Sequence, residues 1–217
     1  MASEVEICKV ALSHIRAKSI NSLTEASREA QECKLHYPIA RDFVLRDNWW
    51  NFAKKVAPLA LLVDEPKLWA YAYQYPSDCL NMRMVTVDNI FKDQTTDGLA
   101  NRFRFQDFIP QPERGLPYEI LTLNGVKIIG NDFQDAFGYY TAKVTDPNLF
   151  DVQFTDALSF LLASRLAIPL VGGDFGRKMR EDMLALYNQA MSAAIVSNNN
   201  EQKRNQPRQS RFVEGRI

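Results

Sequence analysis

Hydrophobic residues near the N-terminus recur with the period of an α-helix. The apolar positions of this pattern are Cys8, Ala11, Leu12 and Ile15. Their spacing of i, i+3, i+4 and i+7 places them on one helix face. Ser3 and Glu6, three residues apart, form a capping-box sequence just before this pattern. The pattern predicts a first helix from Glu4 to Ala17.

A second apolar stripe follows with steps of three and four residues. It consists of Ala26, Ala30, Cys33, Tyr37, Ala40 and Val44. Pro38 lies inside this stripe, yet the apolar phase continues across it. A proline removes one backbone hydrogen bond and bends a helix without always ending it. We therefore predict one kinked helix from Glu25 to Arg46.

Beyond Trp49 the period changes to that of β-strands. Four aromatic residues alternate with smaller side chains between Leu68 and Tyr75, namely Trp69, Tyr71, Tyr73 and Tyr75. Alternation predicts that all four rings project from one face of a strand that ends at Pro76. Such a row is more often sheet core than a stacking platform for bases or sugars.

Further strands are predicted downstream. They are Met82–Asp88, Arg102–Phe105, Tyr118–Leu123, Val126–Ile129 and Phe137–Val144. Asn124-Gly125 is the residue pair that a two-residue type I′ hairpin turn prefers, since both positions need positive φ. Arg102 and Arg104 are interpreted as the solvated face of their strand, with phosphate contact as the second interpretation.

The helical period returns in the C-terminal third. Val152 to Ala167 is predicted as a helix that ends through Pro169 and the Gly172-Gly173 pair. A longer last helix carries an apolar stripe of Met179, Met183, Leu186, Ala190 and Ala193. Its alanines favour close packing against neighbouring helices.

These elements predict an α+β fold. Residues 1–50 and 147–200 form a helical bundle, and residues 51–146 form an inserted antiparallel β-rich domain. Residues 201–217 form an extended basic arm in which five positive charges face two negative ones, a net charge of +3. This arm has too few apolar residues to fold alone.

Composition restricts the function classes. The chain has 217 residues, with 26 Lys plus Arg against 26 Asp plus Glu, so net charge gives no support for a strong nucleic-acid binder. The N-terminus lacks the pattern of a signal peptide, and the longest apolar stretches are interrupted or shorter than the roughly 20 residues that span a bilayer. Three cysteines in distant positions are typical of a reducing compartment.

Candidate catalytic and metal-binding residues are few. His14 and His36 have no acidic partner or nucleophile motif near them in the sequence. Cys33 and His36 have metal-like spacing, but no second ligand pair completes a tetrahedral site. The glycine-rich segment Gly172–Gly176 lacks the Lys-Ser/Thr of a phosphate-binding loop and is interpreted as a helix stop and restart.

Paired carboxylates leave a hydrolase as an alternative. The pairs are Asp132 with Asp135 and Asp64 with Glu65. Two carboxylates at a fixed separation carry out glycoside hydrolysis, so a peptidoglycan hydrolase is one competing hypothesis. A DNA-binding module acting through the basic arm is the other.

The basic arm contains the candidate partner-binding residues. They are Arg204, Arg208, Arg211, Phe212 and Arg216. Such a segment suits docking between subunits by folding on contact, and it equally suits a solvated tail. From the residues alone, the chain is an assembly or interaction module.

Three segments form a recognisable set when they are taken in order: Ala40–Leu45 continuing into Trp49–Ala53, then Trp69–Leu80, and then Tyr139–Phe150. This set resembles the tail tubular protein A family, the head-to-tail adaptors of short-tailed bacteriophages, and a tail-associated location would apply to the hydrolase alternative as well. The helices from Leu161 onward fit the same family. The resemblance spans roughly Ile7 to Ser197, and it consists of scaffold residues with no catalytic signature.

The resemblance implies a virion structural protein at the head-tail junction, assembled in the host bacterial cytoplasm, with no enzymatic activity and no cofactor. Its copies would form a ring, a dodecamer in this family. The helical domain would meet the portal protein, and the β-rich domain would meet the nozzle protein of the tail tubular protein B type, with tail fibres as a further partner. Double-stranded DNA would pass through the lumen without sequence-specific binding.

Overall fold

The computed structural model describes residues 3–62, 68–87 and 115–201. Within these ranges the chain has an α+β fold, as predicted. The helices are α1 (Glu4–His14), α2 (Arg28–Asp47), α3 (Val152–Val171) and α4 (Gly173–Asn200). The strands are β1 (Lys54–Pro58), β2 (Tyr71–Gln74), β3 (Cys79–Val87), β4 (Glu119–Leu123), β5 (Val126–Asn131) and β6 (Ala136–Ala142). Two short 3-10 helices, Asn51–Ala53 and Pro147–Leu149, precede β1 and α3.

The helix α3 is the centre of the helical part. It packs against α1, α2 and α4, and its buried residues belong to one apolar core with theirs. Among the described residues, it is the helix long and apolar enough to cross a membrane, and 56% of its most apolar window is buried inside the protein. Burial on several faces explains this composition, since a central helix is hydrophobic all round.

The first two helices follow their sequence patterns closely. Ser3 and Glu6 form the predicted capping box: the Ser3 Oγ accepts from the Glu6 N–H, and the Glu6 carboxylate accepts from the Ser3 N–H. The predicted stripe of α2 is buried from Ala30 to Val44. The helix continues through Pro38, so the prediction of one helix is confirmed.

The end of α3 differs from its prediction. Pro169 lies inside the helix, which ends at Val171. The ring of Pro169 disturbs only the carbonyl of Arg165, four residues earlier, so one further turn is tolerated. The stop comes from Gly172, whose φ of 72° is in the left-handed region and whose N–H donates to the Ile168 carbonyl.

The predicted stripe of the last helix has the wrong phase. The buried residues of α4 are Gly176, Tyr187, Met191, Ala194 and Asn198. Leu186 is 39% exposed, and Ala193 is exposed as well. Two adjacent faces of α4 carry apolar residues. Burying Tyr187 and Met191 removes more apolar area from water than burying Leu186 and Ala193 would. A second apolar edge of the helix therefore stays at the surface.

The strands form two antiparallel sheets with the orders β1-β6-β3 and β2-β5-β4. Both sheets contribute to a second apolar core, separate from the helical one. Its buried members are Leu59, Tyr73, Met82, Val85, Ile129, Ala136, Tyr140 and Ala142. The two sheets therefore share one apolar core.

The aromatic row before Pro76 is mostly sheet core. Tyr71, Tyr73 and Tyr75 all pack against the sheet core, which confirms that interpretation for them. Trp69 is different, because it precedes β2 in a bend. Its ring covers Gly130 on the opposite face of the sheet. The prediction that all four rings share one face is therefore wrong for Trp69.

The hairpin of β4 and β5 confirms the strongest turn signal of the sequence. Asn124 and Gly125 join the strands with φ values of 51° and 79°. The predicted strands 82–88 and 137–144 correspond to β3 and β6. The strand predicted at Arg102–Phe105, with Arg102 and Arg104, lies outside the described residues.

Gly125→Val is expected to destabilise the protein by about 1–2 kcal/mol, because a branched side chain opposes positive φ. No heavy atom lies within 4 Å of a Cβ built at Gly125, so backbone strain is the cause. Thermal unfolding measures the effect. Gly125→Asn is the control, since asparagine tolerates this conformation; equal losses from both substitutions would contradict the explanation.

Candidate assembly surface

An aromatic cluster packs α2 against α3 just before the sheets begin. Trp50 is 1% exposed, and its Nε1 donates to the Val44 carbonyl at 2.8 Å. Its ring contacts Phe154 edge to face, with centroids 5.1 Å apart, and Phe52 packs on both rings. This cluster fixes the position at which the chain leaves the helices for β1.

A hydrogen-bond network holds the C-terminal end of α4 at the same place. The Asn198 Oδ1 accepts from the Asn51 N–H at 2.8 Å, and its Nδ2 donates to the Trp49 carbonyl at 3.1 Å. The Asn51 Nδ2 donates to the Asn198 carbonyl at 2.7 Å. These contacts join residues about 150 positions apart and anchor the last helix to the junction.

Charged side chains join α2 to the end of β6. Arg41 is 4% exposed and donates through Nε and Nη2 to the Asp42 Oδ1 at 2.9 and 2.8 Å. The Lys143 Nζ lies 3.1 Å from the other oxygen of Asp42. Asp42 is therefore shared between a buried cation of the bundle and a lysine that follows the sheet.

A second charged network lies within the sheets. Asp78 accepts from the Lys55 Nζ at 2.6 Å and from the Tyr140 hydroxyl at 3.0 Å. Burial by itself raises the pKa of Asp78, but these two hydrogen bonds outweigh it and lower the pKa below its ordinary value of 3.8. The ionised carboxylate therefore ties β1 and β6 to the turn before β3.

Asp78→Asn is expected to cost stability at neutral pH, and the difference from the natural protein should shrink as the pH falls below 3.8. A carboxyl with a lowered pKa stabilises the fold above its unfolded pKa, and protonation removes that contribution. Urea unfolding between pH 2 and 7 measures the effect. Lys55→Met should weaken the same pH dependence, and parallel curves for natural protein and Asp78→Asn would refute this role.

The outer face of α2 carries an exposed apolar stripe. Leu35, Ile39 and Phe43 are 60%, 52% and 50% exposed. Their spacing of four residues keeps them within one side of the helix, opposite the buried stripe. Single exposed apolar residues are ordinary, whereas a contiguous row on one helix is a candidate interaction surface. We refer to these three residues as the α2 stripe.

A groove lies beside the α2 stripe, between α2, α3 and α4. It encloses a cavity of about 410 Å³. The lining residues are His36, Leu161, Ser164, Arg165, Ile168, Arg180 and Leu184. His36 lies one residue beyond Leu35, and its Nε2 is 3.4 Å from a carboxylate oxygen of Glu32. The groove therefore combines apolar side chains with the two arginines.

Arg165 is the central cation of this groove. Its guanidinium carbon lies 5.6 Å from the centroid of the Phe43 ring, which joins the groove to the α2 stripe. Burial lowers the pKa of Arg165, and the neighbouring Tyr187 hydroxyl partly offsets that effect. In the described part of the chain, no carboxylate lies within ion-pairing distance of Arg165. A half-buried cation without an anion favours an acidic partner.

His14 takes part in a contact that the sequence did not reveal. Its Nε2 lies 3.2 Å from the Ser159 Oγ, and its ring stacks on Phe160. Burial lowers the pKa of His14, while the nearby Asp156 opposes this shift. Ser159 is 1% exposed and donates to the Asp156 carbonyl within α3. These groups join α1 to α3, and Ser159 is too enclosed to attack a substrate.

The remaining candidates do not form one site. The Cys33 thiol is buried next to Cys8, while His36 lines the groove, so the two do not converge. Asp132 accepts from the Ala70 N–H, which is the role of a turn residue. Among the described residues, no cluster of His, Cys, Asp or Glu is arranged to hold a metal ion.

Several predicted site residues lie outside the described residues. They are Asp64, Glu65, Arg204, Arg208, Arg211, Phe212 and Arg216. The glycine pair at 172–173 separates α3 from α4, as the interpretation of a stop and restart predicts. The α2 stripe and its groove were not predicted, because outward-facing apolar residues do not disturb the dominant buried pattern.

Comparison with known protein families and with curated protein sequences finds no match for this chain.

Proposed function

We propose that this chain is a structural subunit of a ring-shaped head-to-tail adaptor in a short-tailed bacteriophage, acting between the portal and the tail nozzle. The observation that carries the proposal is the exposed α2 stripe beside a groove that contains a half-buried arginine, for which the described residues supply no carboxylate partner. A chain that works in an assembly needs such surface, since contiguous apolar rows fit partner contacts better than solvent.

The segments that resemble the adaptor family support this proposal by their arrangement. They are far apart in sequence, yet Asp42 of the first contacts Lys143 of the third at 3.1 Å. Asp78 of the second accepts from Tyr140 of the third at 3.0 Å. All three segments therefore meet where helices and sheets join. If this chain has the scaffold of the adaptor family, the segments that resemble that family are expected to lie together in the fold.

The two separate cores give a physical basis for two partners. The helical core and the sheet core each leave their own outer surfaces, so one end of the subunit is available to the portal and the other to the nozzle. Net neutrality also suits a conduit, because a strongly positive lumen would bind DNA and oppose its passage.

Electron microscopy of the purified protein mixed with its cognate portal complex tests the proposal. The expected result is an additional ring, coaxial with the portal, that is absent from portal alone. The protein alone is the second control. Portal particles without added density, in the presence of excess protein, would refute the adaptor function and give priority to peptidoglycan zymography and DNA-binding assays.

Deleting residues 202–217 is expected to weaken binding to the portal complex, because this basic segment adds charged contacts to the assembly. Co-sedimentation with portal particles measures the bound fraction. A full-length variant in which all four candidate arginines of this segment are glutamine is the matched control for charge. Unchanged binding by both variants would exclude the segment from the portal contact.

A further inference from the structure

The surface of α4 that faces away from the groove carries a second apolar edge. Phe175 and Leu186 lie on it with Asp182 between them, seven residues after Phe175 and four before Leu186, so all three lie on one side of the helix. Phe175 is 60% exposed and Leu186 is 39% exposed, and Asp182 is exposed as well. We call these three residues the α4 edge.

The α4 edge and the groove lie on different sides of the same subunit. Leu184 lines the groove, while Leu186 is two residues further along α4. At about 100° per residue, their side chains diverge by about 160°. A subunit with two different, complementary surfaces on opposite sides can form head-to-tail contacts. Such contacts close into a ring when the rotation from each subunit to the next divides a full turn evenly.

The two surfaces are complementary in charge and in size. The groove offers the Arg165 and Arg180 guanidiniums, and the α4 edge offers the Asp182 carboxylate. The apolar ends of the α4 edge are about 16 Å apart, and the α2 stripe is about 12 Å long, at 1.5 Å per residue. Among the described residues, neither Arg165 nor Arg180 forms an ion pair with a carboxylate.

We propose that the α4 edge of one copy seats in the groove of the next copy, with Asp182 paired to Arg165 and with Phe175 and Leu186 packed on the α2 stripe. The inference rests on the proposed adaptor function and identifies the contact that makes the ring. A second copy is favoured over an unrelated partner because one chain carries both complementary surfaces.

Cysteine cross-linking on portal-bound protein tests the contact. Ile39 and Leu186 are exposed, so Ile39→Cys and Leu186→Cys are not expected to disturb folding. With diamide as oxidant, which takes up the two electrons and two protons of the thiols, the double variant should give a ladder of oligomers on non-reducing gels. All variants carry Cys79→Ser, because Cys79 is only partly buried, whereas Cys8 and Cys33 are buried. In this background, each single variant and the protein without an added cysteine should give monomers.

A charge exchange provides an independent measurement. Asp182→Arg and Arg165→Glu should each lower the number of portal-bound rings at least about tenfold, because like charges then meet at every contact. An equimolar mixture of the two variants should restore rings, since alternating copies again pair opposite charges. Circular dichroism of each variant establishes that it is folded.

The outcomes separate this inference from the adaptor function. The inference is supported if the natural protein forms portal-bound rings, the double cysteine variant gives the ladder of oligomers, and the mixture of charge variants restores rings. Rings of natural protein without a ladder, or dimers from Ile39→Cys alone, would overturn the contact and leave the adaptor function standing. If the natural protein adds no ring to the portal, the adaptor function fails and this contact fails with it.

Discussion

Trp50→Ala is expected to lower the free energy of unfolding by about 4 kcal/mol, the largest effect of any single substitution considered for this protein. Trp50 is 1% exposed and fills the space between Val44 and the phenylalanine cluster. Truncation removes the ring, leaves a cavity and leaves the Val44 carbonyl without the indole N–H that it accepts. Such a loss is a large fraction of the stability of an ordinary domain.

Urea unfolding followed by circular dichroism measures this loss as a shift of the midpoint. Trp49→Ala is a matched control, because it removes the same side chain one position earlier. Trp49 is only half-buried, with the Lys54 Nζ 5.0 Å from its ring centroid, so its truncation should cost about 1–2 kcal/mol. Equal losses at the two positions would contradict the role of Trp50 in the core.

Asp42→Ala is expected to destabilise the protein by about 3 kcal/mol, because it leaves the buried Arg41 guanidinium without its main partner. The Arg41 side chain is 5% exposed, and the next carboxylate, that of Glu4, is 3.9 Å away from its Nη1. The substitution also removes the contact between Asp42 and Lys143, and with it one connection from α2 to the sheets.

The double variant Asp42→Ala with Arg41→Met separates burial of a charge from loss of packing. Methionine keeps much of the arginine volume without the charge, so most of the lost stability should return. A double-mutant cycle by urea unfolding gives the coupling energy of the pair. A cost below about 1 kcal/mol for Asp42→Ala would show that the pair behaves like an exposed ion pair.

Local patterns in the sequence were sufficient to predict most of the helices and strands. The capping box of α1, the buried stripe of α2 and the Asn124-Gly125 turn were all predicted correctly, because each depends on residues a few positions apart. The α+β class followed from the change of period near Trp49 and its return near Val152. Helical and strand periods are properties of the chain itself, so they are visible without tertiary contacts.

The errors have a common physical cause. The phase of α4 depended on which of two apolar faces packs against α3, and the side of Trp69 depended on where β2 begins. Both choices are made by tertiary packing, which the sequence spacing leaves open. Pro169 stays inside α3 because its ring disturbs only the Arg165 carbonyl, and the helix ends where Gly172 follows.

The sequence by itself therefore determined most of the elements and their order, but not the strand β1 at Lys54–Pro58. It also showed no recognisable catalytic motif. The tertiary structure decided which apolar residues remain exposed, and so it alone revealed the α2 stripe, the groove and the α4 edge. The reason is that burial is a property of the whole fold. A row of apolar residues on a helix looks the same in sequence whether a core covers it or a partner does.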